Sequence, residues 1–167
     1  MNVHDRFISP TKGFRDFDEV MDDVLEFIHE DERFKYEVVV GTDSDQFVTD
    51  TGRKQAEFVS VVAVHRVGRH GRYFWKRVAN IPTYDHHDRM LKEAMYSLEL
   101  AQLVVAHLRP RLSETLYNFE IHLDIGHNGP TSGMISEIVG MITGSGFVAR
   151  IKPESYAANK VADRHVG

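Results

Sequence analysis

There is no cysteine in this chain. That removes disulfides, thiolate metal sites and cysteine nucleophiles together, and it fits the cytoplasmic location we expect. No apolar run approaches the roughly 18 residues that span a bilayer, so no membrane association is expected. The opening stretch MNVHDRFISPTKGF lacks the apolar centre of a secretory leader. Internal repeats, low-complexity tracts and long linkers are missing too. Acidic residues outnumber basic ones. The formal net charge is -5, whereas a protein that grips nucleic acid mainly by charge is usually basic.

What is present suits one globular domain over residues 1–167. The chain is long enough to bury about two thirds of its unfolded surface, and 42% hydrophobic with 27% charged residues is an ordinary soluble composition. Without thiolates, any metal must be held by carboxylate or histidine, and carboxylate oxygen favours hard cations such as Mg2+ or Mn2+. The charge is unevenly spread. Asp16 to Glu32 holds nine acidic residues and no Lys or Arg, while Arg66, Arg69, Arg72, Lys76 and Arg77 fall in a stretch with no acid. Both stretches read equally well as solvated faces.

Phe17, Val20, Met21, Val24, Leu25 and Ile28 recur at helical spacing, which predicts an amphipathic helix over 17–31. Asp16 and Glu19 form a capping-box pair at its start. A core over 36–165 follows. Tyr36 to Asp43 is a strand whose β-branched run suits a central position. Glu57–Val67 and Arg72–Val78 read as a hairpin across Gly68–Gly71. A long helix over 85–108 carries apolar residues on two sides, so it packs against neighbours on both. Asn118–Asp124 alternates as a strand. Thr131–Thr143 is helical, Phe147–Lys152 is a short strand, and Ser155 caps a last helix over 156–165. The order β-β-β-α-β-α-β-α implies an α/β fold on a five-stranded mixed sheet flanked by helices, with one extra N-terminal helix. In the simplest layout the first and fourth strands lie side by side at the centre, where the connections change direction and ligands tend to bind.

Asp43 ends the first of these strands and Asp124 ends the fourth. Adjacent strands lie about 4.8 Å apart, so two bare carboxylates there would repel and one pKa would rise. A divalent cation between them removes that cost. The alternative is that each aspartate caps a helix or solvates a turn.

The segments VVGTDSD (39–45), VAVHRVGRHGRYF (62–74), LKEAMYSLELA (91–101), IHLDIGHNG (121–129) and IKPESYAANKVADRH (151–165) resemble the ribonuclease H-like superfamily, and within it the YkuK-type family of small bacterial proteins. The resemblance runs from about residue 36 to the end. It implies a ribonuclease H-like fold and four acidic positions: Asp43, Glu93 on the long helix, Asp124, and Asp163 on the last helix, with Glu99 as the alternative helix residue. Asp45 shares a strand face with Asp43 and is either an auxiliary ligand or a solvated side chain. The implied chemistry is hydrolysis of phosphodiester bonds by two metal ions, Mg2+ or Mn2+, with His165 or His122 as proton shuttle. His86 and His87 make no metal motif. The substrate would be nucleic acid, with RNA, DNA and hybrid not distinguished. The five basic residues would contact its backbone and Tyr73 and Trp75 would stack on bases; alternatively Tyr73 and Trp75 pack on one sheet face while Arg72 and Lys76 point to water. Gly126 to Thr131, at a helix N-terminus, reads either as a phosphate-binding turn or as a turn with no ligand. Two other readings stay open. One is a binding or regulatory module with a vestigial site. The other is a nucleotide-binding protein, because GTDS and LDIG also resemble the phosphate loops of actin-like and sugar-kinase proteins, which need two such domains.

Overall fold

In the computed structural model, which describes residues 6–165 apart from the side chains at positions 158–160 and 163, the capping box at Asp16 is formed. The Asp16 carboxylate accepts the Glu19 N–H at 2.9 Å, and the Asp16 N–H donates back to Glu19 at 2.8 Å. Two donors left unpaired by the first helical turn are thereby satisfied. The helix that follows, α1 (Phe17–His29), buries the predicted stripe of Val20, Met21, Val24 and Ile28, together with Phe27.

The remaining elements are β1 (Phe7–Ser9) and β2 (Gly13–Arg15) before α1. After it come β3 (Tyr36–Val48), β4 (Lys54–Arg66), β5 (Gly71–Pro82), α2 (His86–Leu108), β6 (Tyr117–His122), α3 (Ile135–Gly144) and β7 (Val148–Arg150). They form one mixed sheet in the order β2-β1-β5-β4-β3-β6-β7. β3, β4 and β5 are an antiparallel meander, while β6 runs parallel to β3 and β7 parallel to β6. β3 therefore lies between β4 and β6, as the sequence predicts. Among the described residues no helix is long and apolar enough to cross a membrane.

The sheet has seven strands, not the five expected. The additional pair, β1 and β2, has three residues in each strand. That is too short for an alternating pattern to emerge, and β1 pairs with β5 in register only at Ile8↔Trp75. Other boundaries shift as well. β3 and β4 run past the expected ends as a hairpin paired out to Val48↔Lys54. Polar residues are tolerated there because the two strands project beyond the core. The predicted 131–143 helix begins as a 3-10 turn at Ser132–Met134. The last helix is a π-helical stretch, Ala157–Ala162, followed by a 3-10 turn, Asp163–His165. Ala157 and Ala162 are both fully buried, and a separation of five residues is what a π turn brings to one face.

The two faces of the sheet are covered differently. Val38, Val40, Val62, Val64 and Phe74 face α1 and the C-terminal half of α2. Ile121 and Leu123 pack with Met90, Ala94 and Ala101 of α2 and with Ile138 and Ile142 of α3. Thus α2 lies between α1 and α3 in a single layer, which explains its two apolar sides. On the opposite face Val59, Val61 and Ala63 meet Val161 and Ala162 of the C-terminal segment. That segment is fastened by His122, which is 1% exposed. Its Nδ1 accepts the Ala157 N–H at 3.2 Å, so Nε2 carries the proton and donates to Glu120 at 3.1 Å. The Tyr156 ring stands edge-on to it, with centroids 4.7 Å apart.

Replacing Asp16 by Ala should cost about 1 kcal/mol of stability. Asp18→Ala, which also removes a first-turn charge but no cap, should cost less than half as much; matched urea denaturation curves check both. His122 supplies a pH signature. Burial lowers its pKa below the ordinary histidine value, against the opposing pull of Glu120. The folded state therefore resists a proton that the unfolded chain accepts, so the His122 contribution is intact above about pH 6.5 and is lost as pH falls from there through the depressed folded value. Urea midpoints measured from pH 7.5 to 5 should drop more steeply for the native chain than for His122→Gln.

Candidate functional site

The parallel ladder between β3 and β6 ends at Gly41↔His122. Two residues further on, the same register sets Asp43 opposite Asp124. The ladder between β6 and β7 ends at His122↔Arg150, and the same count sets Asp124 opposite Lys152. Main-chain bonds from Leu123 N–H to Arg150 and from Lys152 N–H to Ile125, 2.9 and 2.8 Å long, hold the chains together past the end of the strands. One row across three parallel strands thus carries Asp43, Asp124 and Lys152. The Lys152 ammonium lies 2.9 Å from the Asp124 carboxylate. Asp43 accepts the N–H of Ser44 at 2.9 Å.

This row borders a cleft of about 460 Å³, lined also by Ser44, Asp45, His86, Arg89, Met90, Asn128, Pro130 and Thr131. Asp43 and Asp124 are half-buried there and Asp45 is exposed. Asp43 sits within β3 and Asp124 lies two residues beyond β6, so neither ends its strand as expected; the row places them even so. Within the loop, the Gly126 N–H donates to Thr131 Oγ1 at 3.3 Å, so the 126–131 turn is closed partly on itself.

Glu93 approaches from α2. It is 4% exposed and accepts a hydrogen bond from Ser44 Oγ, with Arg89 Nη1 3.6 Å away. Burial pushes its carboxyl well above the usual carboxylate range. The Ser44 bond pulls down, Asp43 pushes up, Arg89 pulls down and Asp124 pushes up again. Asp43 and Asp124 are thus the two acids whose charge bears on Glu93. Glu99 is exposed and about 9 Å further along the helix axis. α2 is keyed to the sheet one turn beyond Glu93, where Ser97 Oγ donates to Thr42 Oγ1 at 3.0 Å and Thr42 and Ser60 share a hydrogen bond of 2.9 Å. All three hydroxyls are buried.

Arg89 and Lys152 are the cleft residues that sequence reasoning missed. Arg89 Nη1 donates to the carbonyl and the hydroxyl of Ser44, both at 2.9 Å, and Nη2 lies 3.2 Å from His86 Nδ1. The i, i+4 spacing of Arg89 and Glu93 was a readable signal. So was the place of Lys152 just past the third parallel strand. His87 turns away to Glu137, 2.7 Å distant.

The basic stretch does not form the continuous surface expected of it. Arg66 and Lys76 are 8% and 2% exposed. Strand alternation turns Arg72, Phe74 and Lys76 to the face under α1 and β1, not to water. There Arg66 bonds the Tyr36 hydroxyl at 3.0 Å and the Phe27 carbonyl at 3.3 Å, and its guanidinium lies 4.7 Å from the Phe27 ring. Lys76 Nζ lies 5.6 Å from the Phe7 ring, and Arg72 pairs with Glu30 at 3.2 Å. Arg77, on the other face, pairs with Glu57 at 3.1 Å and donates to the His165 carbonyl. Arg69 is exposed, its guanidinium 4.9 Å from the Phe34 ring. The His165 ring stacks on one face of Trp75 at 4.2 Å and 11°. Trp75 pairs with Val61, which pairs with Gly41, so His165 sits two strands from the aspartate row. Burial, with Arg77 and Arg164, lowers its pKa. His122 is committed to the C-terminal segment. The side chain of Asp163 lies outside the described residues. Among those described, no three His, Asp or Glu side chains are grouped to hold a metal. Asp43, Asp124 and Glu93 all carry carboxylate oxygen, the donor type that hard divalent ions prefer.

The fold agrees with the comparisons. Residues 19–166 match a family described as ribonuclease H-like. The chain is 30% identical over 161 residues to the "Uncharacterized protein YkuK" of Bacillus subtilis (strain 168), covering 89% of each sequence. No solved structure matches. With the family match spanning most of its length and the relative aligned almost end to end, the chain belongs to the ribonuclease H-like family.

Proposed function

We propose that this protein is a nuclease that depends on divalent metal and hydrolyses phosphodiester bonds of nucleic acid at the cleft between β3, β6 and α2. The observation that carries the reading is the register row that sets Asp43 opposite Asp124, with Glu93 buried within the field of both. Family membership supports it. Asp43 and Asp124 would hold Mg2+ or Mn2+, with Glu93 and Asp163 as further candidates. Bound ions would supply an activated water and stabilise the leaving oxygen. The chain's own part is geometric. The Ser44 hydroxyl fixes one oxygen of Glu93, and Arg89 fixes Ser44. The hydroxyl chain through Ser97 and Thr42 holds the helix at that distance from β3.

A second reading is a binding module on the same fold that does not turn over substrate. The ion pair of Lys152 with Asp124 favours it, since it already compensates one carboxylate. So does the burial of Arg66 and Lys76, which leaves less basic surface for a polyanion.

Incubation with RNA–DNA hybrid, branched DNA and single strands in Mg2+ or Mn2+ separates the two. On the nuclease reading, cleavage of at least one of them falls 100-fold or more in both Asp43→Asn and Asp124→Asn, a loss at least as large as that from disturbing groups around a metal. Glu93→Gln should lower the rate while leaving the thermal midpoint of the metal-free protein unchanged or higher, because the amide needs no charge at a buried position. Cleavage that persists in both aspartate variants overturns the assignment. Binding of nucleic acid without turnover favours the module.

A further inference from the structure

Lys152 has a placement that a surface lysine does not need. It is the third member of the register row, opposite Asp124. Its main chain is bonded to Ile125, and its stem runs over Gly126, where a Cβ would stand 3.0 Å from Lys152 Cβ and 3.6 Å from Cδ. A residue without a side chain, two positions after Asp124, thus makes room for the stem that carries the ammonium back to Asp124 at 2.9 Å. The side chain keeps 46% of its surface exposed, so its head can leave that contact without unpacking the fold. A phosphate in the cleft would find few other mobile cations, because Arg89 is already bonded to Ser44 and His86.

Resting on the metal-dependent reading above, we propose that Lys152 is a tethered cation that holds Asp124 while no divalent ion is bound. It gives up that carboxylate when an ion arrives, and its ammonium then takes a backbone phosphate of the nucleic acid. One positive charge serves two anions in turn: the carboxylate in the free protein and the phosphate in the loaded one. Lys152 is in this sense a positioning residue for both.

The test is a calorimetric titration of Mn2+ into the full chain and into Lys152→Met and Lys152→Arg. Lys152→Met should bind Mn2+ about three- to tenfold more tightly, because no exposed ion pair has to break and a like charge has left the rim. Lys152→Arg, which keeps the competing cation, should stay within twofold of the native chain. With Ca2+ present, binding of a 16-base-pair RNA–DNA hybrid to Lys152→Met should weaken, and the slope of log K against log salt should become shallower by about one, the signature of one lost phosphate contact. Equal or weaker Mn2+ binding by Lys152→Met overturns the proposal while leaving the metal site standing. Mn2+ binding by none of the three proteins overturns the metal site and the proposal together. An unchanged salt slope, or no hybrid binding, removes the phosphate role.

Discussion

In a parallel ladder, residues at one level point the same way and stand about 4.8 Å from their neighbours on the next strand. The cleft is an application of that constraint. β3, β6 and β7 run in one direction, so the level just past their paired ends collects Asp43, Asp124 and Lys152 without any loop having to fold specially. The antiparallel neighbour β4 contributes Val59 at the same level, directly opposite Asp43. The apolar residue confines the charged row to the parallel side. A shift of one residue in any of these pairings would turn the corresponding side chain to the opposite face.

The electrostatics follow from this geometry. Two carboxylates on one row repel, and a third, on Glu93, is buried behind them. The protein meets this by hydrogen bonding and by cations: Ser44 and Arg89 at Glu93, Lys152 at Asp124. The same logic governs Arg66. It is a buried guanidinium kept by a phenol, a carbonyl and the carboxylate of Glu30, and it anchors α1 where β4 ends beside the start of β3. A cation that looks like a nucleic-acid contact in the sequence is a structural brace in the fold.

The fold was legible to the extent that periodicity reports it. The valine runs of β3 and β4, the stripe of α1 and the two-sided apolar pattern of α2 each predict their element, and the meander followed by parallel strands follows from their order. Asp43 and Asp124 could be read because both follow apolar runs. β1 and β2 could not, since three residues carry no period. The fates of Arg66 and Lys76 were hidden because alternation says which residues share a face but not which face is covered, and that depended on where α1 and β1 docked. The place of Lys152 at the end of the last strand could be read, but its meeting with Asp124 depends on the pairing of β7 with β6. Spacing alone does not distinguish Glu93 from Glu99; in the fold Glu93 is buried and bonded to Ser44, and Glu99 is exposed.

The one-sided arrangement of the helices has a consequence for how the molecule opens. Three helices form one continuous layer against the sheet, and their cores interlock along α2. Among the described residues, the other face is covered by the stretch around Val161 and Ala162, held by the His122 bond to Ala157, the Arg77 bond to the His165 carbonyl and the stacking of His165 on Trp75. Freeing that stretch uncovers Val59, Val61, Ala63, Tyr73 and Trp75, a smaller cluster than either core beneath the helices. Unfolding therefore has two scales. A low-energy local opening uncovers the outer side of the central strands, next to the acidic row, while the cooperative unit of sheet and helices stays intact. In amide exchange, the backbone N–H of Ala157 reports the first scale and those of β3 report the second.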